Sequence, residues 1–225
     1  MKVLAIETSS ARGCVALLDE GGLVSEQSLG EGSRHGQALV PCIDELLGGE
    51  RSVDLVAVSA GPGSYTGLRV GITFAKTFCV QTGTPVVTVS SLDAIAANYT
   101  GPGRLCVVLD ARLGQVYAAL YDKEHHKTVG DIAASPEDVA AGVEPGKTVV
   151  IGDGLRRYRD IFAAAGEVID DESVWWPRAA SVGRLGRDRF NRDGGEDPRA
   201  LVPRYLRRPQ AEVTWEETQG APGQK

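Results

Sequence analysis

The stretch from Asp54 to Lys76 reads DLVAVSAGPGSYTGLRVGITFAK. It begins with an apolar run up to Ser59, which predicts a buried strand. The sequence Gly61-Pro62-Gly63 follows and predicts a sharp turn, because glycine adopts backbone angles that other residues avoid and proline stiffens the chain beside it. A turn of this kind before a helix directs backbone N–H groups above the sheet. An anion such as a phosphate group is therefore the first ligand expected there.

The helix predicted after this turn carries small residues at a regular spacing. Gly67, Gly71 and Ala75 lie four residues apart and share one face of the helix. Each glycine inside a helix costs about 1 kcal/mol relative to alanine, so a compensating reason is needed. The close approach of another backbone would supply that reason, as it does in small-residue helix pairs of membrane proteins. The stretch is thus either a phosphate-binding turn or a platform for helix packing.

The composition is that of an ordinary soluble globular protein. The chain has 225 residues, of which 42% are hydrophobic and 24% charged, and its formal net charge of −6 does not favour nucleic-acid binding. However, 17 of the 24 Lys and Arg residues follow position 110, so a basic patch in the second half is an alternative to solvated helix faces. Four scattered cysteines in apolar runs predict free thiols in a reducing cytosol rather than a disulfide or zinc site. The sequence shows no signal peptide and no apolar run of about 18 residues, so we expect a cytoplasmic protein without a membrane segment.

The two halves of the chain repeat one pattern. A shift of 103 residues places Glu7, at the end of the first predicted strand, on Asp110, at the end of a later one. Each half later has a strand that runs into Gly-x-Gly and a helix, at residues 61–63 in the first half and 152–154 in the second. Two matches in the same order indicate a duplicated α/β unit. We expect lobes over residues 1–100 and 104–209 with a ligand-binding cleft between them, followed by a disordered tail over residues 210–225.

Three segments carry a resemblance to a known family. They are VLAIETS at residues 3–9, SAGPGSYTGLRVG at residues 59–71 and PRYLR at residues 203–207. Together they resemble the bacterial TsaB (YeaZ) family, and the resemblance extends over residues 2–209. It implies an α/β fold of the actin-like ATPase (ASKHA) type with two ribonuclease-H-like lobes. It also implies a part in the machinery that attaches a threonylcarbamoyl group to adenosine 37 of tRNAs reading codons that begin with A.

In that family the member is not itself the catalyst. The resemblance implies a fold similar to that of the catalytic subunit TsaD and a heterodimer with TsaD. It also implies the small ATPase TsaE as a third component of the assembled complex, and only indirect contact with tRNA. No tightly bound cofactor is expected, and the resemblance leaves ATP or ADP as a ligand of the assembled complex.

The histidines support this non-catalytic role. The catalytic relative carries a His-x-x-x-His metal pair on its first helix, and two histidines at that spacing can bind one ion. His35 matches the first of them, but Leu39 occupies the position of the second. His125 and His126 are adjacent and would point in opposite directions. We therefore expect no metal site and no catalytic residue in this chain.

Six residues are candidates for weak or vestigial nucleotide binding. In an active ATPase of this fold, acids at strand ends hold Mg²⁺ or orient water, and glycine turns approach the phosphates. The loop after the first acid has no glycine before Gly13 and is poorly shaped for phosphate. The alternative is that the acids cap strand ends and that the turns are inherited from a nucleotide-binding ancestor. The candidates are Glu7, Gly61, Gly63, Asp110, Gly152 and Gly154.

The two helices beside the first glycine turn are the candidate interface. Their apolar face is too wide for a helix half in water, so a structurally similar partner such as TsaD would cover what the sheet does not. A homodimer through the same helices is expected when the partner is absent, and burial in the chain's own core is the competing explanation. On the interface hypothesis, Gly71→Leu disrupts pairing while the monomer stays folded. The predicted contact residues are His35, Leu39, Ile43, Leu46, Gly67, Leu68, Gly71, Ile72, Ala75 and Phe78.

Two other functions stay open. A self-sufficient ATPase or small-molecule kinase would use Glu7, Asp110 and the two glycine turns. A direct tRNA binder would use the arginine-rich second half, and its affinity for tRNA would fall steeply with salt.

Overall fold

The computed structural model of the protein describes residues 1–31, 35–50 and 52–207. The tail expected to be disordered, residues 210–225, lies outside these residues. The described chain forms two five-stranded mixed sheets with helices around each of them. No helix within the described residues is both long and apolar enough to cross a membrane.

The first sheet is built from the first 90 residues. Its strands are β1 (Val3–Glu7), β2 (Arg12–Asp19), β3 (Gly22–Glu31), β4 (Leu55–Gly61) and β5 (Val86–Ser90). Their spatial order is β3-β2-β1-β4-β5, and β1 pairs antiparallel with β2 but parallel with β4. The helices of this part are α1 (His35–Leu47), α2 (Tyr65–Thr82) and α3 (Ser91–Ala96). Because β1 and β4 are parallel, both end at the edge of the sheet where α2 begins.

Helix α2 has the boundary signals that its sequence predicts. The Ser64 hydroxyl oxygen caps its start and accepts a hydrogen bond from the Gly67 backbone N–H at 3.2 Å. Gly83 follows its last turn in the left-handed conformation, with a φ of 72°. These caps fix where the helix begins relative to the glycine turn.

The second sheet repeats the first. Its strands are β6 (Arg104–Arg112), β7 (Gln115–Tyr121), β8 (Lys127–Ala134), β9 (Thr148–Ile151) and β10 (Glu167–Val168). Their order, β10-β9-β6-β7-β8, is that of the first sheet read from the opposite edge. The helices α4 (Pro136–Ala141), α5 (Leu155–Ala165) and α6 (Ala179–Asp193) occupy the chain positions of α1, α2 and α3. The predicted duplication and the actin-like fold of two ribonuclease-H-like lobes are therefore confirmed, although β8 was not expected from its polar sequence.

Helices cover the first sheet on both faces. On one face α1 and α2 pack through residues such as Ile43 against Ile6, and on the other face α6 packs through Val182 against Ala5. Side chains alternate between the two faces of a strand, so a central strand between two layers is buried along its whole length. All five residues of β1, including Glu7, are accordingly buried.

The short helix α3 packs on the sheet of the other half. Its residues Leu92 and Ile95 lie in the core of the second sheet. Asp93 of α3 also contacts the second sheet. Its Oδ1 lies 2.7 Å from Lys127 Nζ and accepts a hydrogen bond from the Tyr121 hydroxyl at 2.9 Å. A helix that follows the first half in sequence thus completes the second core.

Helix α6 belongs to the second half of the chain but packs on the first sheet. Gly186 permits a close approach, because a Cβ there would lie 2.5 Å from the Ala57 Cβ. The chain after α6 also stays with the first sheet but reaches its other face: Leu201 is buried in the core shared with α1 and α2, and the Arg204 N–H donates to the Ala60 carbonyl oxygen at 2.7 Å. The predicted second lobe, residues 104–209, is therefore wrong at its end. Helices α3 and α6 each have an apolar stripe that fits either sheet, and only the path of the chain decides which sheet they cover.

Candidate functional site

A cavity of about 560 Å³ lies where the parallel strands of both sheets end. The first lobe lines it with the loop 8–11 after β1 and with residues 63–67 at the start of α2. The second lobe contributes residues 109–113 and Asp153, and the segment 201–207 adds side chains at the rim. This is the interlobe cleft that the duplication predicts.

Glu7 is fully buried and does not line the cavity. Its Oε1 accepts hydrogen bonds from the Ser9 backbone N–H and the Ser9 hydroxyl, both at 2.5 Å, whereas its Oε2 has no partner among the described residues. Burial raises the pKa of Glu7 from 4.5 to about 7, and the hydrogen bonds from Ser9 act in the opposite direction. The structure thus places this nucleotide-binding candidate behind the cavity wall.

Asp110 lines the cavity, and a second acid lies beside it. The Asp110 backbone N–H donates to Asp153 Oδ1 at 3.0 Å, and both residues belong to the same wall. Burial raises the pKa of Asp153, the hydrogen bond from the Asp110 backbone N–H lowers it, and the negative charge of Asp110 raises it. Asp110 itself accepts a hydrogen bond from the Arg112 backbone N–H at 2.8 Å. Asp153 was not among the predicted residues, although its position inside the second glycine turn could have identified it.

The first glycine turn packs tightly against the chain itself. A Cβ at Gly61 would lie 2.9 Å from the Arg204 carbonyl oxygen, and one at Gly63 would overlap the Ser9 carbonyl oxygen. The same Ser9 oxygen accepts a hydrogen bond from the Ser64 N–H at 2.7 Å. An N–H group expected to face an anion therefore bonds to the loop after β1.

The second glycine turn is packed in the same way against β6. A Cβ at Gly152 would overlap the Val108 carbonyl oxygen, to which the Gly154 N–H donates at 3.1 Å. Neither glycine lines the cavity, and of the four candidate glycines only Gly63 does. Close packing within the chain accounts for these glycines without a phosphate ligand.

The small residues of α2 face the chain's own first strand rather than a partner. A Cβ at Gly67 would overlap the Thr8 carbonyl oxygen, and one at Gly71 would overlap the Thr8 hydroxyl oxygen, which bonds to the Gly67 carbonyl at 2.8 Å. Ala75 is fully buried in the same core. The interpretation that these residues admit a partner's helix is therefore wrong. The expectation that Gly71→Leu leaves the monomer folded is wrong for the same reason.

Most of the other predicted interface residues are also buried in the chain's own core. The exposed fraction is at most 5% for His35, Leu39, Ile43, Leu68 and Ile72. Leu39, Ile43 and Ile72 lie in the core between these helices and the first sheet. His35 lies at the cavity wall, and Leu68 lies against Gly61. Another protein could not contact them without rearrangement of the helices, so the hypothesis of direct contact is corrected for these five residues.

A neighbouring strip of the two helices is only half-buried. We call it the helix-pair surface, and it consists of Ala38, Cys42, Leu46, Val70, Phe74 and Phe78. The Phe74 and Phe78 rings stack with their centroids 5.8 Å apart. Only Leu46 and Phe78 were predicted. The four-residue spacing on each helix was available as a signal for the remaining four.

His35 is buried at the start of α1, where a Cβ at Gly13 would meet its ring. Neither ring nitrogen has a hydrogen-bond partner in the described part of the chain. Desolvation lowers the pKa of His35, so the ring is neutral at pH 7. Leu39, one turn further on, lies in the core. Among residues 1–31, 35–50 and 52–207, no group of three or more His, Cys, Asp or Glu residues could hold a metal ion.

One rim of the cavity is bridged by an ion-pair network. Glu172, from the second lobe, contacts Arg12 of the first lobe at 3.5 Å and Arg156 of the second at 2.6 Å. Both guanidinium groups lie over the ring of Trp176, at 5.0 Å and 5.2 Å from its centroid. These contacts connect the two lobes at this rim.

The opposite rim is bridged by the segment 201–207, which we call the strap. Tyr205 stacks on Tyr65 of α2 with ring centroids 4.8 Å apart. Arg207 Nη1 then donates to the carbonyl oxygens of Ala111 at 2.7 Å and Arg112 at 3.1 Å in the second lobe. The strap therefore spans the cavity from the first lobe to the second.

Comparison with known proteins finds relatives over almost the whole chain. The family model for TsaD, described as tRNA N6-adenosine threonylcarbamoyltransferase, matches residues 18–162. The tRNA threonylcarbamoyladenosine biosynthesis protein TsaB of Bacillus subtilis is 29% identical, over 97% of this chain and 100% of the relative. TsaB of Escherichia coli is 28% identical, over 98% of this chain and 99% of the relative. The solved structure of YeaZ from Pseudomonas aeruginosa superposes with a TM-score of 0.80 at 28% identity, and covers 91% of this chain and 99% of that one.

Proposed function

Because the chain belongs to the TsaB (YeaZ) family, within the wider TsaD family, and so has a role in tRNA threonylcarbamoyladenosine biosynthesis, we propose that it is a non-catalytic subunit of this pathway. In this role it binds TsaD and supports transfer of the threonylcarbamoyl group to adenosine 37 of tRNAs that read codons beginning with A. ATP or ADP then enters only as a ligand of the assembled complex.

The observation that carries the non-catalytic role is the packing of the first glycine turn onto the loop after β1. In a phosphate-binding site the backbone N–H groups of such a turn point at the ligand. Here the Ser64 N–H bonds to Ser9, and Gly63 and Gly67 lie against the carbonyl groups of Ser9 and Thr8. The N–H group and the glycines that could face a phosphate contact the chain's own backbone instead, which supports the non-catalytic role.

The helix-pair surface supports binding to a partner. Its side chains are apolar and half-buried, and they recur every four residues on each of the two helices. Phe74 and Phe78 are its largest members, and large aromatic side chains commonly dominate the energy of protein interfaces. We therefore place TsaD on this surface. A second copy of the chain would occupy it in a homodimer when TsaD is absent.

The test is co-elution of this chain with TsaD of its host in gel filtration. The double variant Phe74→Asp with Phe78→Asp introduces two charges into the proposed contact, and we expect the complex to be lost. Val80→Asp is the matched control, because Val80 lies on the same helix, is 46% exposed and lies outside the helix-pair surface. Circular dichroism melting of each variant shows whether the monomer stays folded.

Two results would contradict the proposal. Co-elution that the double variant leaves unchanged would remove the helix-pair surface as the contact. Failure of the wild-type chain to bind TsaD under any nucleotide condition would remove the subunit role itself.

A self-sufficient ATPase or small-molecule kinase is the second candidate, and the adjacent acids Asp110 and Asp153 favour it. Paired carboxylates in a cavity can hold Mg²⁺ or orient an attacking water. This reading requires that the purified chain turn over ATP by itself and that Asp110→Asn abolish the turnover. Absence of turnover by the wild-type chain would eliminate it.

A further inference from the structure

Three exposed arginines lie in the segments that form the strap rim of the cavity. Arg69 belongs to α2 and Arg204 to the strap, both are exposed, and neither forms an ion pair with a carboxylate within the described residues. Arg112, on the facing loop, is 82% exposed at its side chain and has only a 3.5 Å contact with Asp110. The rim is thus positively charged in a chain whose net charge is −6.

Exposed aromatic rings lie among these arginines. The guanidinium of Arg69 lies 4.7 Å from the centroid of Tyr65, whose ring stacks on Tyr205 at 4.8 Å. Tyr65 is 37% exposed and Tyr205 is 40% exposed, so part of each ring reaches solvent. Tyr65 and Arg69 come from α2, whereas Tyr205 comes from the strap, and only the folded chain brings them together.

We infer that this rim, formed by Tyr65, Arg69, Arg112, Arg204 and Tyr205, binds an unpaired loop of RNA. Guanidinium groups neutralise phosphates, and exposed tyrosine rings accept stacked bases that a double helix would hide. The inference rests on the proposed function, which supplies RNA as the substrate polymer. An acidic segment of a partner protein is the other ligand that such a surface fits, but it would not use the solvent-exposed part of the Tyr205 ring.

The rim and the helix-pair surface share helix α2. It carries Tyr65 and Arg69 in its first turns and Phe74 and Phe78 further along. At 1.5 Å and about 100° per residue, Arg69 and Phe74 are separated by about 7.5 Å along the helix axis and by about 140° around it. A partner on the helix-pair surface would therefore leave the strap-rim side of the helix open to an RNA loop, and this chain would contribute RNA contacts to the complex.

The experiment measures the affinity of the complex with TsaD for a fluorescently labelled tRNA anticodon stem-loop by anisotropy at several salt concentrations. Tyr205→Ala should weaken binding about tenfold through the lost base stacking, whereas Tyr205→Phe keeps the ring and should bind like the wild type. Arg69→Ala and Arg204→Ala should each reduce the slope of log K against log salt by about 0.7, the value for one phosphate contact with a single strand. Arg184→Ala is the charge-matched control. Arg184 is exposed on α6, on the opposite face of the first sheet. Its replacement should change neither the affinity for RNA nor the dependence of that affinity on salt.

The outcomes separate this inference from the proposed function. An intact complex whose RNA affinity is unchanged in all three rim variants would overturn the RNA-binding surface and leave the subunit role in place. If the rim variants weaken binding to TsaD but not binding to RNA, the rim is a protein contact, and this result would also overturn the RNA-binding surface. If no complex forms, the chain alone is titrated with the same RNA. A tenfold loss on Tyr205→Ala then supports the inference, and no measurable binding by the wild type refutes it.

Discussion

Replacing Glu7 with glutamine should make the stability of the protein less dependent on pH. Glu7 is fully buried, its Oε1 accepts two hydrogen bonds from Ser9, and its Oε2 has no partner within the described chain. Glutamine has the same size and keeps a carbonyl oxygen for Ser9, but it cannot ionise. Any pH dependence that disappears in the variant is therefore due to the Glu7 carboxyl group.

The magnitude follows from the pKa of this group in the folded protein. Burial raises the pKa of Glu7 from 4.5 to about 7, so between these pH values the folded state holds a proton that the unfolded state has released. The stability that this proton contributes is fully present below pH 4.5 and is lost as the pH rises through 7. Each tenfold difference in proton affinity is worth about 1.4 kcal/mol. The free energy of unfolding should therefore fall by about 3 kcal/mol over this range through Glu7 alone.

Other groups with shifted pKa values also make the stability depend on pH, so the comparison must be made against the variant. Burial also raises the pKa of Asp153, so this group too makes the stability fall as the pH rises. The lowered pKa of His35 has the opposite effect and makes the stability increase as the pH rises. Urea unfolding of the wild type and Glu7→Gln at several pH values between 5 and 8 isolates Glu7. From pH 5 to pH 8, we expect the free energy of unfolding of the variant to rise by about 2.5 kcal/mol relative to that of the wild type.

A second variant tests the direction of the effect. Ser9→Ala removes the hydroxyl that lowers the pKa of Glu7, so the loss of stability should extend to higher pH. A difference in unfolding free energy between the wild type and Glu7→Gln that stays constant across the pH range would refute the reasoning. It would mean that Glu7 is ionised in the folded protein despite its burial.

Three further perturbations have definite expected outcomes. Gly71→Ala places a methyl group on the Thr8 hydroxyl and should lower the free energy of unfolding by about 1–3 kcal/mol in chemical denaturation; an unchanged midpoint would contradict the packing of α2 on the loop after β1. Phe162→Ala empties a fully buried site in the second core and should cost about 3–5 kcal/mol, seen as a large drop in melting temperature. A small drop would show that the second core tolerates the cavity. Arg207→Ala removes the bond to the Ala111 carbonyl and should speed limited proteolysis within the strap while the melting temperature changes little. Unchanged cleavage would show that the strap is held by its contacts with the first lobe alone.

The sequence determined the repeated architecture because its signals are local and occur twice. The first strand of each half with its acid, Glu7 or Asp110, the glycine turns and the helix caps each depend on a few neighbouring residues, and their common order identified the duplication. Strand β8 escaped prediction, since its half-exposed edge position places no demand for alternating apolar residues on its sequence. The exchange of α3 and α6 also escaped it. An amphipathic helix specifies that it covers a sheet but not which of two equivalent sheets it covers.

For the candidate site, the sequence determined which residue types are present at the strand ends, and the tertiary structure decided which of them reach the cavity. Glycine at positions 67 and 71 showed that some backbone must come close to α2, but a local pattern cannot say whose backbone that is. In the folded protein, the backbone close to α2 is that of the chain's own Thr8. An adjacent row of half-buried side chains, including Phe74, is left for a partner. The pairing of Asp110 with Asp153 and of Tyr65 with Tyr205 likewise exists only in the folded chain. In both pairs, residues 43 and 140 positions apart meet because burial of the two cores brings the strand ends and the strap to one cavity.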